Sequence, residues 1–138
     1  MNGRFGRSDL CRNGHFLDVP QRVLVVDDEQ HICDLLSIWL DDDPRCERVV
    51  QAHDLDAAVL IAQRENPDVI LLDFQVGQRT SIEALPDLRR SCPDARIVIH
   101  TGSPDEALRA NVEGHGVDQI VEKATTSISD VVELVLSY

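Results

Sequence analysis

Three short, solid apolar runs constrain this chain more than any other feature: Val23-Leu24-Val25-Val26, Val69-Ile70-Leu71-Leu72 and Ile97-Val98-Ile99. Runs of this kind, separated by amphipathic stretches, are the signature of strands buried on both faces between helices. Two weaker runs, Arg48-Val49-Val50-Gln51-Ala52 and Val117-Asp118-Gln119-Ile120-Val121, bring the expected strands to five.

The intervening stretches read as helices. Ile32, Leu35, Leu36, Trp39 and Leu40 recur at helical spacing and predict one apolar stripe on a helix ending near Asp41 to Pro44. Ala57, Ala58, Ile61 and Ala62 predict a second, stopping before Pro67. A third is expected over Ile82 to Arg90, with Pro86 in its first turn or kinking it. Ser103, Pro104 and Glu106 form a capping box for a fourth, which Gly114 and Gly116 end. Ile128, Val131, Val132 and Val135 place the last helix at the C-terminus, running to Tyr138. Strand-helix units joined by right-handed crossovers predict a doubly wound, five-stranded parallel α/β sheet of flavodoxin-like order 2-1-3-4-5, with helices on both faces.

Size and charge narrow the function. A chain of 138 residues with 43% hydrophobic and 28% charged side chains is one domain with a real core. Residues 1–20 lack periodicity and read as a flexible extension, leaving 21–138 as the folded unit. A formal charge of -12 repels nucleic acid and anionic lipid. No run is long enough to span a membrane and no signal sequence is evident, so a cytoplasmic location is expected. The four cysteines form no CxxC pair and read as reduced packing thiols. Lys123 is the sole lysine of an arginine-rich chain.

In doubly wound sheets ligands bind beyond the carboxyl ends of the strands. Here those ends carry Asp27-Asp28-Glu29, Asp73, His100-Thr101 and Glu122-Lys123. Converging carboxylates raise one another's pKa unless a cation compensates them, so an oxygen-lined Mg²⁺ site is the natural reading. Such a cation would allow an anionic substrate to approach, with Asp73 as nucleophile and Lys123 and Thr101 contacting phosphoryl oxygens. Singly, Asp27 is as well explained as a helix cap, Asp73 as the start of a loop and Thr101 as an ordinary strand residue. Their combination is what carries the chemistry.

The segments Val23 to Glu29, Val69 to Phe74, Ile97 to Gly102 and Gly116-Val117-Asp118 leading to Lys123 resemble, in motif and order, the receiver domain of two-component response regulators. The resemblance implies that Asp73 accepts a phosphoryl group from a sensor histidine kinase or phosphotransfer protein. It implies that Asp27, Asp28 and Asp73 hold Mg²⁺ together with the backbone carbonyl of Gln75, that Thr101 is the switch hydroxyl and that Lys123 pairs with the phosphoryl group. It further implies output to a downstream protein target through the fourth helix and fifth strand, where the family also forms homodimers.

Five positions depart from the family pattern. Val76-Gly77 replaces Met-Pro, which suggests a looser loop, and Ser81 replaces a glycine. Ile120 stands where an aromatic switch residue is usual, and Ala124 replaces the proline after the lysine. The leading expectation is a stand-alone phosphoacceptor receiver, a signalling domain rather than an enzyme. The alternative is a degenerate receiver binding its partner without phosphorylation. A haloacid-dehalogenase-type phosphohydrolase is disfavoured because Asp27-Asp28 is not Asp-x-Asp.

Overall fold

Alternate residues of each solid apolar run feed opposite sides of one sheet. A computed structural model describes residues 19–102, 105 and 114–137. Its elements are β1 (Gln21–Val26), α1 (Gln30–Asp41), β2 (Cys46–Ala52), α2 (Leu55–Glu65), β3 (Val69–Leu72), β4 (Gln75–Val76), β5 (Arg79–Thr80), a 3₁₀ turn (Ser81–Glu83), α3 (Leu85–Ser91), β6 (Arg96–Thr101), β7 (Gln119–Glu122) and α4 (Ile128–Leu136). The main sheet is parallel, in the order β2-β1-β3-β6-β7. This is the expected 2-1-3-4-5 order when only main-sheet strands are counted.

On one side Leu24, Val26, Ile70, Leu72, Ile97 and Ile99 pack with Leu55, Ala58 and Ala62 of α2 and Leu85 and Leu88 of α3. On the other, Val23, Val25, Val69, Leu71 and Val98 pack with Cys33, Leu36 and Leu40 of α1 and Val131 and Val135 of α4. Each fully buried branched side chain contributes about 1.5–3 kcal/mol, and neither layer could be stripped without exposing half of every central strand.

Local chemistry sets the helix ends. Asp54 caps α2 by accepting from the Ala57 amide at 2.7 Å, and Asn66 ends it in the left-handed region at φ 52°, immediately before Pro67. Ser127 accepts from the Asp130 amide at 3.1 Å and starts α4. The last helix ends at Leu136, short of the expected Tyr138, which lies outside the described residues. Pro86 falls in the first turn of α3, one of the two placements its sequence position allowed. The missing proline N–H is harmless there, so α3 begins at Leu85 and the preceding residues close as a 3₁₀ turn.

The apolar stripe of α1 is wider than its buried face. Leu35 and Trp39 are 40% and 46% exposed, and Ile38, off the stripe, is 66% exposed. The capping box at Ser103, Pro104 and Glu106 lies outside the described residues, as does nearly all of the 1–20 extension. Gly114 and Gly116 stand in a turn with φ +88° and +85°. Arg89 of α3 pins that turn: its guanidinium donates to the carbonyls of Pro93 at 3.0 Å, Ala95 at 2.6 Å and Gly116 at 2.5 Å. Among the described residues Cys33 and Cys92 are buried, Cys46 is half-buried and all three are free thiols.

Candidate functional site

β1 and β3 lie side by side with Val26 opposite Leu72, so the residues that follow leave the sheet together. The hydrogen bonding runs one step further. The Asp27 amide donates to the Ala52 carbonyl at 3.1 Å and the Asp73 amide to the Val26 carbonyl at 2.9 Å, which fixes both acids at the level of the backbone. Asp27 is 2% and Asp73 8% exposed, whereas Asp28 lies at the exposed edge of the site. Carboxylate oxygens of Asp27, Asp28 and Asp73 lie within 4.8 Å of one another.

The compensating cation of the chain itself comes from the far end of the sequence. β7 pairs with β6, and the Lys123 amide donates to the Thr101 carbonyl at 2.8 Å just beyond that ladder. From there Lys123 Nζ reaches Asp27 Oδ2 at 2.8 Å and Asp73 Oδ2 at 3.2 Å, with Glu29 Oε1 at 3.7 Å. Ala124 follows Lys123 where the family has proline. Thr101 is buried at the end of β6.

Burial and then the charge of Asp27 push the Asp73 carboxyl up to about 6, against the pull of Lys123 and of the Gln75 amide. Burial alone would lower Lys123, but its hydrogen bond to Asp27 and the charge of Asp73 hold the ammonium above its ordinary value. Behind it, His100 is buried and lowered to about 4, first by desolvation and then by repulsion from Lys123. The Cys33 thiol donates to the Asp27 carbonyl at 3.3 Å and is raised to about 12 by burial and by Asp27, which makes it a packing group.

Three carboxylates against one ammonium leave two negative charges in a crevice lined by hard oxygen donors. That donor set suits a hard divalent cation such as Mg²⁺, Ca²⁺ or Mn²⁺. The β4–β5 hairpin supplies its wall. Phe74 and Val76 face their partners across it, with the Ser81 amide on the Phe74 carbonyl at 2.7 Å and Val76 opposite Arg79. Gln75, opposite Thr80, therefore turns both backbone groups outward, and its amide reaches Asp73.

The family model for the response regulator receiver domain matches residues 23–135. The chain belongs to that family. It is 31% identical over 85 residues, 62% of this chain and 22% of the relative, to protein-glutamate methylesterase/protein-glutamine glutaminase 1 of Rhodospirillum rubrum. It is 29% identical over 91 residues, 66% of this chain and 39% of the relative, to the transcriptional regulatory protein DegU of Brevibacillus brevis. The receiver thus spans well under half the length of these curated relatives. Among solved structures, a response regulator from Burkholderia pseudomallei with a phosphorylated aspartic acid, calcium ion and citrate has a TM-score of 0.75 at 26% identity, covering 83% of this chain and 66% of that one. The response regulator domain of Thermotoga maritima CheB has a TM-score of 0.72 at 27% identity, covering 86% and 92%.

Of the residues expected to act together in this receiver, Asp27, Asp28, Asp73 and Lys123 form one cluster. Thr101 joins it through its carbonyl and Gln75 through its amide. Ile120 is half-buried and packs on the α2–α3 side of the core. Val76-Gly77 does not make an open loop. It closes a hairpin in which Gly77, at φ +65°, donates its amide to Asp28 Oδ2 at 3.0 Å. That contact, the neutral His100 and the approach of Glu29 to Lys123 were not evident from the sequence, although the Val76-Gly77 departure marked the hairpin's position. No helix among the described residues is long and apolar enough to cross a membrane.

Proposed function

We propose that this receiver takes a phosphoryl group onto Asp73 from a phosphohistidine of a sensor histidine kinase or phosphotransfer protein, with Mg²⁺ as cofactor. The observation that carries the reading is the Lys123 ammonium standing between Asp27 and Asp73, within hydrogen-bond reach of both. Asp27, Asp28, Asp73 and the Gln75 carbonyl are the ligands proposed for the cation. When bound, it screens the incoming phosphoryl oxygens from the carboxylates and neutralises the charge they develop.

An Asp73 oxygen attacks phosphorus. As that P–O bond forms, the P–N bond breaks and its electron pair returns to the ring nitrogen. The donor ring, protonated on its other nitrogen, leaves as neutral imidazole. Lys123 then pairs with a phosphoryl oxygen and the Thr101 hydroxyl donates to another. The domain modifies only its own aspartate, and its output is a changed protein-binding surface rather than turnover of a substrate.

Leu35, Ile38 and Trp39 offer a docking face for the phosphodonor, exposed on the helix that begins beside the acids. In this reading residues 21–138 form the receiver, acting in the cytoplasm. The phosphorylation-independent alternative rests on Ile120 and Ala124, and the reach of Lys123 to both acids favours the acceptor reading over it.

The test is incubation with acetyl phosphate and Mg²⁺ followed by intact-mass spectrometry. One phosphoryl adduct, absent from Asp73→Asn, is expected. No adduct with any small-molecule donor would favour the phosphorylation-independent module.

A further inference from the structure

The β4–β5 hairpin touches the acidic crevice at a point that the family pattern does not supply. Where a proline, which has no N–H, is usual, this chain has Gly77, and its amide donates to Asp28 Oδ2 at 3.0 Å across 49 residues of sequence. Asp28 is the one acid of the three exposed to solvent. Asp27, by contrast, is buried, accepts from the Glu29 amide at 2.9 Å and is paired with Lys123.

We propose that Gly77 is a positioning residue for the divalent cation: its amide holds Asp28 Oδ2 and so fixes the Asp28 carboxylate beside those of Asp27 and Asp73. The inference rests on the cation reading given above. Hydrogen bonds from a second layer of groups are a general means of orienting metal-ligating carboxylates, and their loss weakens metal affinity about 10- to 100-fold.

The hairpin is built to hold Gly77 there. A two-residue turn with its first central residue at positive φ is a glycine turn, and Gly77 meets that demand at φ +65°. Arg79, on the returning strand, donates to Asp56 of α2 at 3.1 Å and to Glu83 at 3.0 Å, which ties the hairpin to the body of the domain. Occupancy of the acidic crevice and order in the hairpin are thereby coupled, and each stabilises the other.

The test is calorimetric titration of the full chain with Mg²⁺, comparing wild type with Gly77→Pro, which removes the donor, and Gly77→Asn, which keeps the N–H and tolerates positive φ. The expected result is about tenfold weaker binding in Gly77→Pro, with Gly77→Asn within about twofold of wild type. Amide hydrogen exchange of Gly77 in the wild type, followed by NMR, is expected to slow as Mg²⁺ binds and keeps the proposal testable should Gly77→Pro disrupt the hairpin. Mg²⁺ binding that leaves Gly77 exchange unchanged or faster, or equal affinity in all three proteins, overturns the positioning role while leaving the cation site intact. Absence of any Mg²⁺ binding to the wild type overturns the cation reading itself, and this inference with it.

Discussion

Lys123 Nζ lies 3.2 Å from Asp73 Oδ2, a contact between residues fifty positions apart that places the chain's only lysine on its proposed phosphoacceptor. The ammonium also holds Asp27 at 2.8 Å, so it is a point charge shared by two acids. Lys123→Arg is expected to lower the rate of Asp73 phosphorylation at least about tenfold although charge is kept, because a planar fork cannot fill a position shaped for an ammonium. Labelling by acetyl phosphate, followed by intact mass over time, measures it, and a wild-type rate would remove Lys123 from the transfer step.

Asp73 makes the site sensitive to acid in a definite direction. Its folded pKa, about 6, exceeds the ordinary 3.8, so the folded chain binds the proton more tightly and the stability contributed by this group falls as pH rises from about 4 to about 6. Asp73→Asn is therefore expected to raise stability at pH 7 by about 1 kcal/mol while abolishing phosphorylation. Mg²⁺, which requires the ionised carboxylate, is expected to bind more weakly at pH 5 than at pH 7. Urea unfolding and calorimetry at the two pH values read these effects.

His100 works in the opposite sense. Its folded pKa is depressed to about 4 from 6.5, so the folded chain resists protonation and loses stability as pH falls from about 6.5 towards 4. Replacing the imidazole tests it: His100→Leu is expected to remove about 1–2 kcal/mol of the stability lost between pH 7 and pH 5. Identical pH dependence of the urea midpoint in both proteins would mean that the imidazole does not govern this range.

Docking and chemistry should separate on the surface of α1. Ile38→Asp and Trp39→Ala alter side chains that are 66% and 46% exposed, outside both core clusters. Neither is expected to change labelling by acetyl phosphate, and Ile38→Asp is expected to change the unfolding free energy by no more than about 0.5 kcal/mol. Both are expected to slow transfer from a phosphorylated kinase or phosphotransfer protein. Equal slowing with the two donors would place the defect in the site rather than in docking.

Arg89 gives a test confined to stability. Its guanidinium satisfies carbonyls of Pro93, Ala95 and Gly116 and lies 3.5 Å from Asp118, so Arg89→Ala leaves several acceptors without their donor. A loss of about 2–3 kcal/mol is expected in urea unfolding, with an unchanged slope. A loss below about 0.5 kcal/mol would place those carbonyls in solvent.

The sheet was legible in the sequence because strands buried on both faces cannot hide: every residue of Val69 to Leu72 serves one core or the other. The acids were legible because a chain that puts Asp directly after such runs places them at strand ends by construction. What escaped has a physical reason in each case. Strands of two residues, such as Gln75–Val76 and Arg79–Thr80, are too short to show a period, and the hairpin is set by one glycine and by ladder bonds. Leu35 and Trp39 share the helical spacing of core residues but sit at the margin of the stripe, a distinction of angle that spacing does not resolve. The role of Arg89 depends on a turn 27 residues further along the chain, which no local pattern announces.

The acids and the lysine come from strand ends almost a hundred residues apart, and the two halves meet only when β7 has zipped onto β6. An unfolded or half-assembled copy therefore offers a phosphodonor isolated aspartates with no nearby ammonium. If Asp73 is the acceptor, uptake of a phosphoryl group doubles as an inspection of the domain's completeness, since a copy that has failed to close its last strand lacks the ammonium beside that aspartate.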